Sequence, residues 1–257
     1  MGAWRSRGLA IGREVLSMEN GSRRKRIMVI VPVTSDEWNV PVRDELERYK
    51  DANTEISVVN IKEGPKVIQC AYDVARAAMS TVREAEKAEK DGYNGVVIYC
   101  FDDPAVGAVK EKLNIPVVGL NEAAVHIASL LGVKFTVITT ASQGYSGRDI
   151  EDLLRLYGFK DKCVSVRSLG IPILELQAEK DRQRKMLREE AKKAVEEDGA
   201  DTIVLGCGAI LGLPDNFFEL GIPVVIPGVA ALKICEDLLD MNLMQSKRCF
   251  NTPSEIR

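Results

Sequence analysis

Sliding the chain against itself by 107 residues superposes one half on the other without a gap, and this self-similarity constrains the fold more than any other feature. Asp91-Gly92 falls on Asp198-Gly199, Val97 on Val204, and Leu113 on Leu220. Ile115-Pro116-Val117-Val118 falls on Ile222-Pro223-Val224-Val225, and Ala123-Ala124 on Ala230-Ala231. The apolar runs at 27–33 and 134–140 coincide as well. One structural unit, used twice, is therefore expected to account for most of the 257 residues.

Within the unit, short β-branched runs alternate with longer stretches of helical period, the pattern of a parallel sheet covered by helices. Strands are expected at 27–33, 54–60, 95–99, 115–118, 134–140, 162–167, 201–206 and 222–226, with helices between them, notably 67–90 and 174–197. Val67, Ala71, Val74, Ala78 and Val82 recur at helical spacing, and the two Asp-Gly pairs end these helices. The expected fold class is α/β: two similar four-stranded parallel-sheet lobes related by internal duplication, with the active site in the cleft between them. The first lobe is expected over 27–120, with 228–257 packing back on it, and the second over 121–227. Residues 1–26 are basic and aperiodic, which predicts a mobile N-terminal leader. Glu14 and Glu19 count against a transit peptide, and the segment lacks the apolar run of a secretory signal.

Composition narrows the function classes. With 46% apolar residues the chain can bury a core, and a net charge of −3 argues against a dedicated nucleic-acid binder. No run approaches the ~18 apolar residues of a membrane span. The expectation is a cytoplasmic protein that takes a small-molecule substrate, binds neither nucleic acid nor membrane, and assembles as a homo-oligomer.

Six cysteines, at 70, 100, 163, 207, 235 and 249, never form Cys-x-x-Cys and have a single histidine, His126, to accompany them. That spacing predicts no zinc site and free thiols. The 107-residue shift carries Cys100 onto Cys207, whereas Cys70, Cys163, Cys235 and Cys249 meet no cysteine. Cys100 follows the strand GVVIY and Cys207 follows TIVLG, so both stand at strand carboxyl ends, where open α/β sheets bind ligands. Asp102-Asp103-Pro104 reads as an acidic cap with proline at a first helical position.

Two equivalent thiols facing one cleft suit a reaction symmetric about a plane, in which one thiolate removes a carbon-bound proton and a thiol on the other face returns one. Helix amino termini beside both cysteines are expected to lower their pKa values from ~8.5. Backbone N–H groups in these loops are placed to hold an enolate oxygen. The plainer reading makes both thiols buried residues inherited from a duplicated ancestor. Gly206 and Gly208 weigh against it, since glycine on each side of Cys207 permits close backbone approach to a ligand. His126, inside AAVHIASLL, reads as structural rather than as the partner of a nucleophilic cysteine.

Several segments in order then resemble a known family: CFDDP at 100–104, PVVGLNEAA at 116–124, GVKFTVITT at 132–140, SVR at 165–167 with PILEL at 172–176, EDGADTIVLGC at 197–207 and GVAALK at 228–233. Over 27–257 the chain resembles the hydantoin racemases of the aspartate/glutamate racemase superfamily. The resemblance implies a racemase that uses two cysteines, here Cys100 and Cys207, with no metal and no cofactor. Val31-Pro32-Val33-Thr34-Ser35 departs from the family's asparagine-proline-asparagine segment, and Pro227 replaces an acidic residue usual before GVAA.

The resulting expectation is a cofactor-independent racemase of 5-monosubstituted hydantoins, allantoin included. Thr34, Ser35, Thr140 and Ser142, at the ends of the two equivalent first strands, are candidate substrate-binding hydroxyls, although such positions also serve as helix caps. Phe101 is a candidate pocket-shaping residue. Alternatives are an aspartate/glutamate-type amino-acid racemase, a maleate-type cis-trans isomerase, and a non-catalytic ligand-binding relative. The cysteine loops carry no neighbouring Arg or Lys, which favours a neutral ligand, subject to an Arg such as Arg148 arriving from elsewhere.

Overall fold

Among the described residues, eight short strands form two four-stranded sheets, each entirely parallel, with seven α-helices around them. The computed structural model describes residues 24–140, 146–213 and 221–252; residues 1–23 of the expected leader lie outside them. The first sheet comprises β1 (Lys25–Val31), β2 (Thr54–Asn60), β3 (Gly95–Ile98) and β4 (Val117–Gly119), in the order β2-β1-β3-β4. The second comprises β5 (Phe135–Thr139), β6 (Cys163–Ser168), β7 (Thr202–Leu205) and β8 (Val224–Val225), in the order β6-β5-β7-β8. Strand for strand, the two orders are the same.

Central strands in such sheets are covered on both faces, so they read as unbroken apolar runs rather than as alternation. Ile27, Val29 and Ile30 of β1, Val96 to Ile98 of β3, Val137 and Ile138 of β5 and Ile203 to Leu205 of β7 are all buried. The covering helices are α1 (Asn39–Glu47), α2 (Ala71–Lys90), α3 (Val106–Lys112), α4 (Leu120–Leu131), α5 (Ser146–Tyr157), α6 (Lys180–Glu196) and α7 (Pro227–Asp240). Gly92 and Gly199, just beyond α2 and α6, take positive φ of 82° and 71°, the left-handed turn that ends a helix cheaply only at glycine.

The two halves exchange helices. α4 follows β4 yet also packs on β7 and β8, while α7 follows β8 and packs on β1, β3 and β4; α4 and α7 pack on each other. A further tie crosses between halves where the Glu45 carboxylate of α1 accepts the Gly212 N–H at 3.1 Å. Among the described residues, no helix is long and apolar enough to cross a membrane.

Several boundaries differ from expectation for physical reasons. β1 begins at Lys25 rather than Ile27, because the Lys25 ammonium is buried at the sheet end between Asp51 at 2.8 Å and Asp240 at 2.5 Å. The helix expected from residue 67 begins at Ala71, because Cys70 is extended, with φ −158°, and 61–70 form a loop. The one expected over 174–197 divides into a single 3-10 turn at Ile173–Glu175 and α6.

Candidate active site

Four strands of the two sheets end at one pocket. β1 leads into it through Val31, Pro32 and Val33, β3 through Tyr99, Cys100, Phe101 and Asp102, β5 through Thr139 and Thr140, and β7 through Gly206, Cys207, Gly208 and Ala209. The cleft measures about 860 Å³ out to its open mouth, a ligand-sized space. Its wall is largely apolar, with Trp38, Val42, Ile68 and Ile150 contributing from helices and loops.

Cys100 and Cys207 are both half-buried lining residues, one from each sheet. Their surroundings differ. The Cys100 thiol faces the Asp102 carboxylate, Sγ to Oδ2 3.8 Å. The Cys207 sulfur instead receives the Ala209 N–H at 3.4 Å, with the Ile210 N–H and the Thr140 hydroxyl also favouring its ionised form.

The expectation of lowered thiol pKa values is overturned. Burial pushes Cys207 up to about 11, and the hydrogen bonds to its sulfur oppose this only in part. Burial raises Cys100 well above the ordinary thiol value, and the neighbouring Asp102 charge adds to the shift. Asp102 is itself raised to about 6, by burial first and then by the Asp149 charge from α5.

The Asp-Asp-Pro segment is also not the cap it resembles. Ala105 sits in left-handed backbone, with φ 62°, and α3 starts at Val106 without a side-chain cap. Asp103 caps α4 instead: its carboxylate accepts the Asn121 N–H at 3.1 Å, the Glu122 N–H at 2.8 Å and the Tyr157 hydroxyl at 2.8 Å. This fixes the loop behind Cys100 to the helix that links the two halves. Burial raises the Asp103 carboxyl to about 7.

The glycines around Cys207 have a packing reason. A Cβ at Gly206 would stand 2.6 Å from Val137 Cγ1, and one at Gly208 would stand 2.8 Å from the Tyr99 ring. The buried Tyr99 ring likewise fills the space where Gly228 lacks a side chain. Both glycines nonetheless line the pocket, as do Phe101 and Thr140.

Thr34 and Ser35 are not among the lining residues. The Thr34 hydroxyl donates to Pro65 O at 3.3 Å, and the Ser35 hydroxyl donates to Glu37 at 2.9 Å. Ser142 and the Arg148 side chain lie outside the described residues. His126 bonds through Nδ1 to the Glu122 carbonyl at 2.7 Å and packs edge-on against Phe159, away from the lining. The lining residues not anticipated include Trp38, Gln69, Tyr99, Asp102 and Ile173. Tyr99 carried a usable signal, since the residue before each equivalent cysteine was already in view. Among the described residues, no three His, Cys, Asp or Glu side chains are grouped to hold a metal ion.

Twin parallel sheets converging on one pocket at their strand carboxyl ends define a two-lobed α/β enzyme. Residues 27–235 match the sequence profile of the Asp/Glu/hydantoin racemase family, and the chain belongs to that family. It is thus an isomerase of the racemase class. It is 33% identical over 233 residues to a hydantoin racemase of Paenarthrobacter aurescens, covering 90% of this chain and 98% of the relative. Among solved structures it is similar to an allantoin racemase from Klebsiella pneumoniae, with TM-score 0.85, 31% identity, and coverage of 90% of this chain and 94% of the other. An allantoin racemase from Pseudomonas fluorescens gives TM-score 0.83 at 30% identity, covering 89% and 97%.

Proposed function

We propose that this chain is a cofactor-independent racemase of 5-monosubstituted hydantoins, allantoin included, with Cys100 and Cys207 as its two acid/base groups. One thiolate removes the C5 proton from one face of the ring, and the other thiol delivers a proton to the opposite face. Between the two transfers the ring holds an enolate, which backbone N–H groups of the two cysteine loops are suited to stabilise.

The observation that carries this reading is the charge of the pocket. Two thiols from different sheets line it, and among its described lining residues Asp102 is the only one with a formal charge. A free aspartate or glutamate brings carboxylates that call for cationic partners, whereas a hydantoin is neutral and delocalises its carbanion into a ring carbonyl. The likeness to hydantoin and allantoin racemases supports the same substrate class. Twin strand order and the 107-residue shift support duplication of a four-stranded unit as its origin. The reading extends to a cytoplasmic homo-oligomer, and the exposed apolar side chains of Leu130, Val133 and Leu156 support self-association.

Polarimetry with L-5-benzylhydantoin, allantoin, L-aspartate and L-glutamate tests the substrate. The expected result is loss of rotation with one or both hydantoins and none with the amino acids. Turnover of an amino acid without change in either hydantoin overturns the reading.

A further inference from the structure

The internal repeat that makes the two thiols equivalent does not extend to the residues beside them. Two positions beyond Cys100 stands Asp102, and two beyond Cys207 stands Ala209, which the 107-residue shift superposes. Each position touches its own sulfur. Both present a backbone N–H to that sulfur, Ala209 at 3.4 Å, but Asp102 alone adds a carboxylate oxygen, 3.8 Å from the Cys100 thiol. A carboxylate accepts a hydrogen bond from the thiol form and repels the thiolate, while an N–H does the reverse.

We infer that Asp102 is a positioning residue that makes the two thiols unequal, holding Cys100 in the protonated state as the resting proton donor and leaving Cys207 to supply the thiolate. The inference rests on the two-thiol reading of the site and deepens it by assigning the resting role of each cysteine. With one thiolate present, Cys207 takes the C5 proton and Cys100 gives its own to the opposite face, so the turnover leaves Cys207 as thiol and Cys100 as thiolate. Net transfer of one proton from Cys207 to Cys100 through solvent restores the starting state, and no other reactant is consumed.

Among the described residues, the charged groups facing this pair are acidic: Asp103 from the same loop and Cys207 across the pocket act on Cys100, Asp149 of α5 acts on Asp102, and Asp102 acts on Cys207 as well as on Cys100. Asp103 and Cys207 add to the effect of Asp102 on Cys100, whereas Asp149 opposes it by raising the Asp102 carboxyl. Because burial, and then the Asp149 charge, holds the Asp102 carboxyl up at about 6, the inequality is developed above that pH and weakens below it. Racemisation has an equilibrium constant of one, so kcat/KM stays equal for the two enantiomers. The imbalance between resting states appears instead as kcat and KM that differ in step, with the enantiomer whose proton faces Cys100 having the higher values.

The test is alkylation by iodoacetamide over pH 5 to 10, with modification of each cysteine followed by peptide mass spectrometry, on the wild type, Asp102→Asn and Asp102→Glu. In the wild type Cys207 is expected to react before Cys100 at pH 8. Because the Asp102 charge also raises Cys207, Asp102→Asn is expected to speed both thiols, Cys100 tenfold or more and Cys207 by less, and Asp102→Glu to keep the wild-type order. The kcat and KM differences between enantiomers should shrink in Asp102→Asn. Circular dichroism of each variant separates these effects from misfolding, and the wild-type order alone decides the matter if Asp102→Asn does not fold. Cys100 reacting first in the wild type, or an order unchanged in a folded Asp102→Asn, overturns the inference. A protein that shows the expected order but leaves hydantoins unchanged contradicts the substrate assignment alone.

Discussion

Replacing Asp103 with alanine probes both the scaffold and the loop that carries Cys100. The side chain is buried, and its carboxylate accepts three hydrogen bonds, from the Asn121 and Glu122 N–H groups at the start of α4 and from the Tyr157 hydroxyl. Alanine leaves three donors without an acceptor. At about 1 kcal/mol each, this costs on the order of 3 kcal/mol.

Burial opposes that gain, because it raises the carboxyl from 3.8 to about 7. A raised folded-state pKa means that the folded protein holds a proton the unfolded chain has released between about pH 4 and 7. The stability contributed by Asp103 is therefore fully present below the unfolded value and is lost as pH rises through 7. At ~1.4 kcal/mol per unit, about two units between pH 5 and the raised value give a difference between pH 5 and pH 8 on the order of 3 kcal/mol. Urea denaturation of wild type and Asp103→Ala at both pH values is the assay. The variant is expected to lose more stability at pH 5 than at pH 8. Equal losses, or a larger loss at pH 8, refute the claim that burial dominates this carboxyl.

Other outcomes follow from the packing and the site. Gly208→Ala is expected to cost about 1–3 kcal/mol by thermal unfolding, since its Cβ would meet the Tyr99 ring at 2.8 Å; an unchanged Tm contradicts this contact. Cys100→Ser and Cys207→Ser should each abolish racemisation, because a hydroxyl provides essentially no base near neutrality, while Cys249→Ser, at an exposed position, should leave it intact. Full activity in either of the first two variants removes that cysteine from the mechanism. Deletion of residues 1–23 should leave the melting temperature nearly unchanged, and deletion through Arg26 should lower it, because Lys25 opens β1 and is paired with Asp51 and with Asp240 of α7. Equal melting temperatures for the two truncations contradict that role.

The strands and their order of appearance were legible because buried parallel strands form unbroken apolar runs, and β2 falls at 54–60 as expected. Helix onsets were less legible. Val67 and Ile68 continue the helical spacing of α2, yet they line the pocket from a loop, because an apolar side chain serves a pocket wall as well as a helix face. Asp103 shows the same limit at the site. Local spacing relates it to α3, but its carboxylate caps α4, a tie set by how the loop turns through Ala105. The equivalence of Cys100 and Cys207 emerged from the repeat, whereas their raised pKa values follow from burial by residues distant in sequence.

The central claim is that two thiols act on one carbon. Wild-type enzyme with enantiopure L-5-benzylhydantoin in deuterated water tests it, with the two enantiomers separated early in the reaction and their C5 deuterium content measured. Two monoprotic bases predict a D-product carrying one solvent deuteron while the remaining L-substrate stays almost unlabelled, since the thiol that removed its proton returns the same one. D-product that retains the original C5 hydrogen, or deuterium appearing equally in both enantiomers from the start, contradicts the two-thiol account.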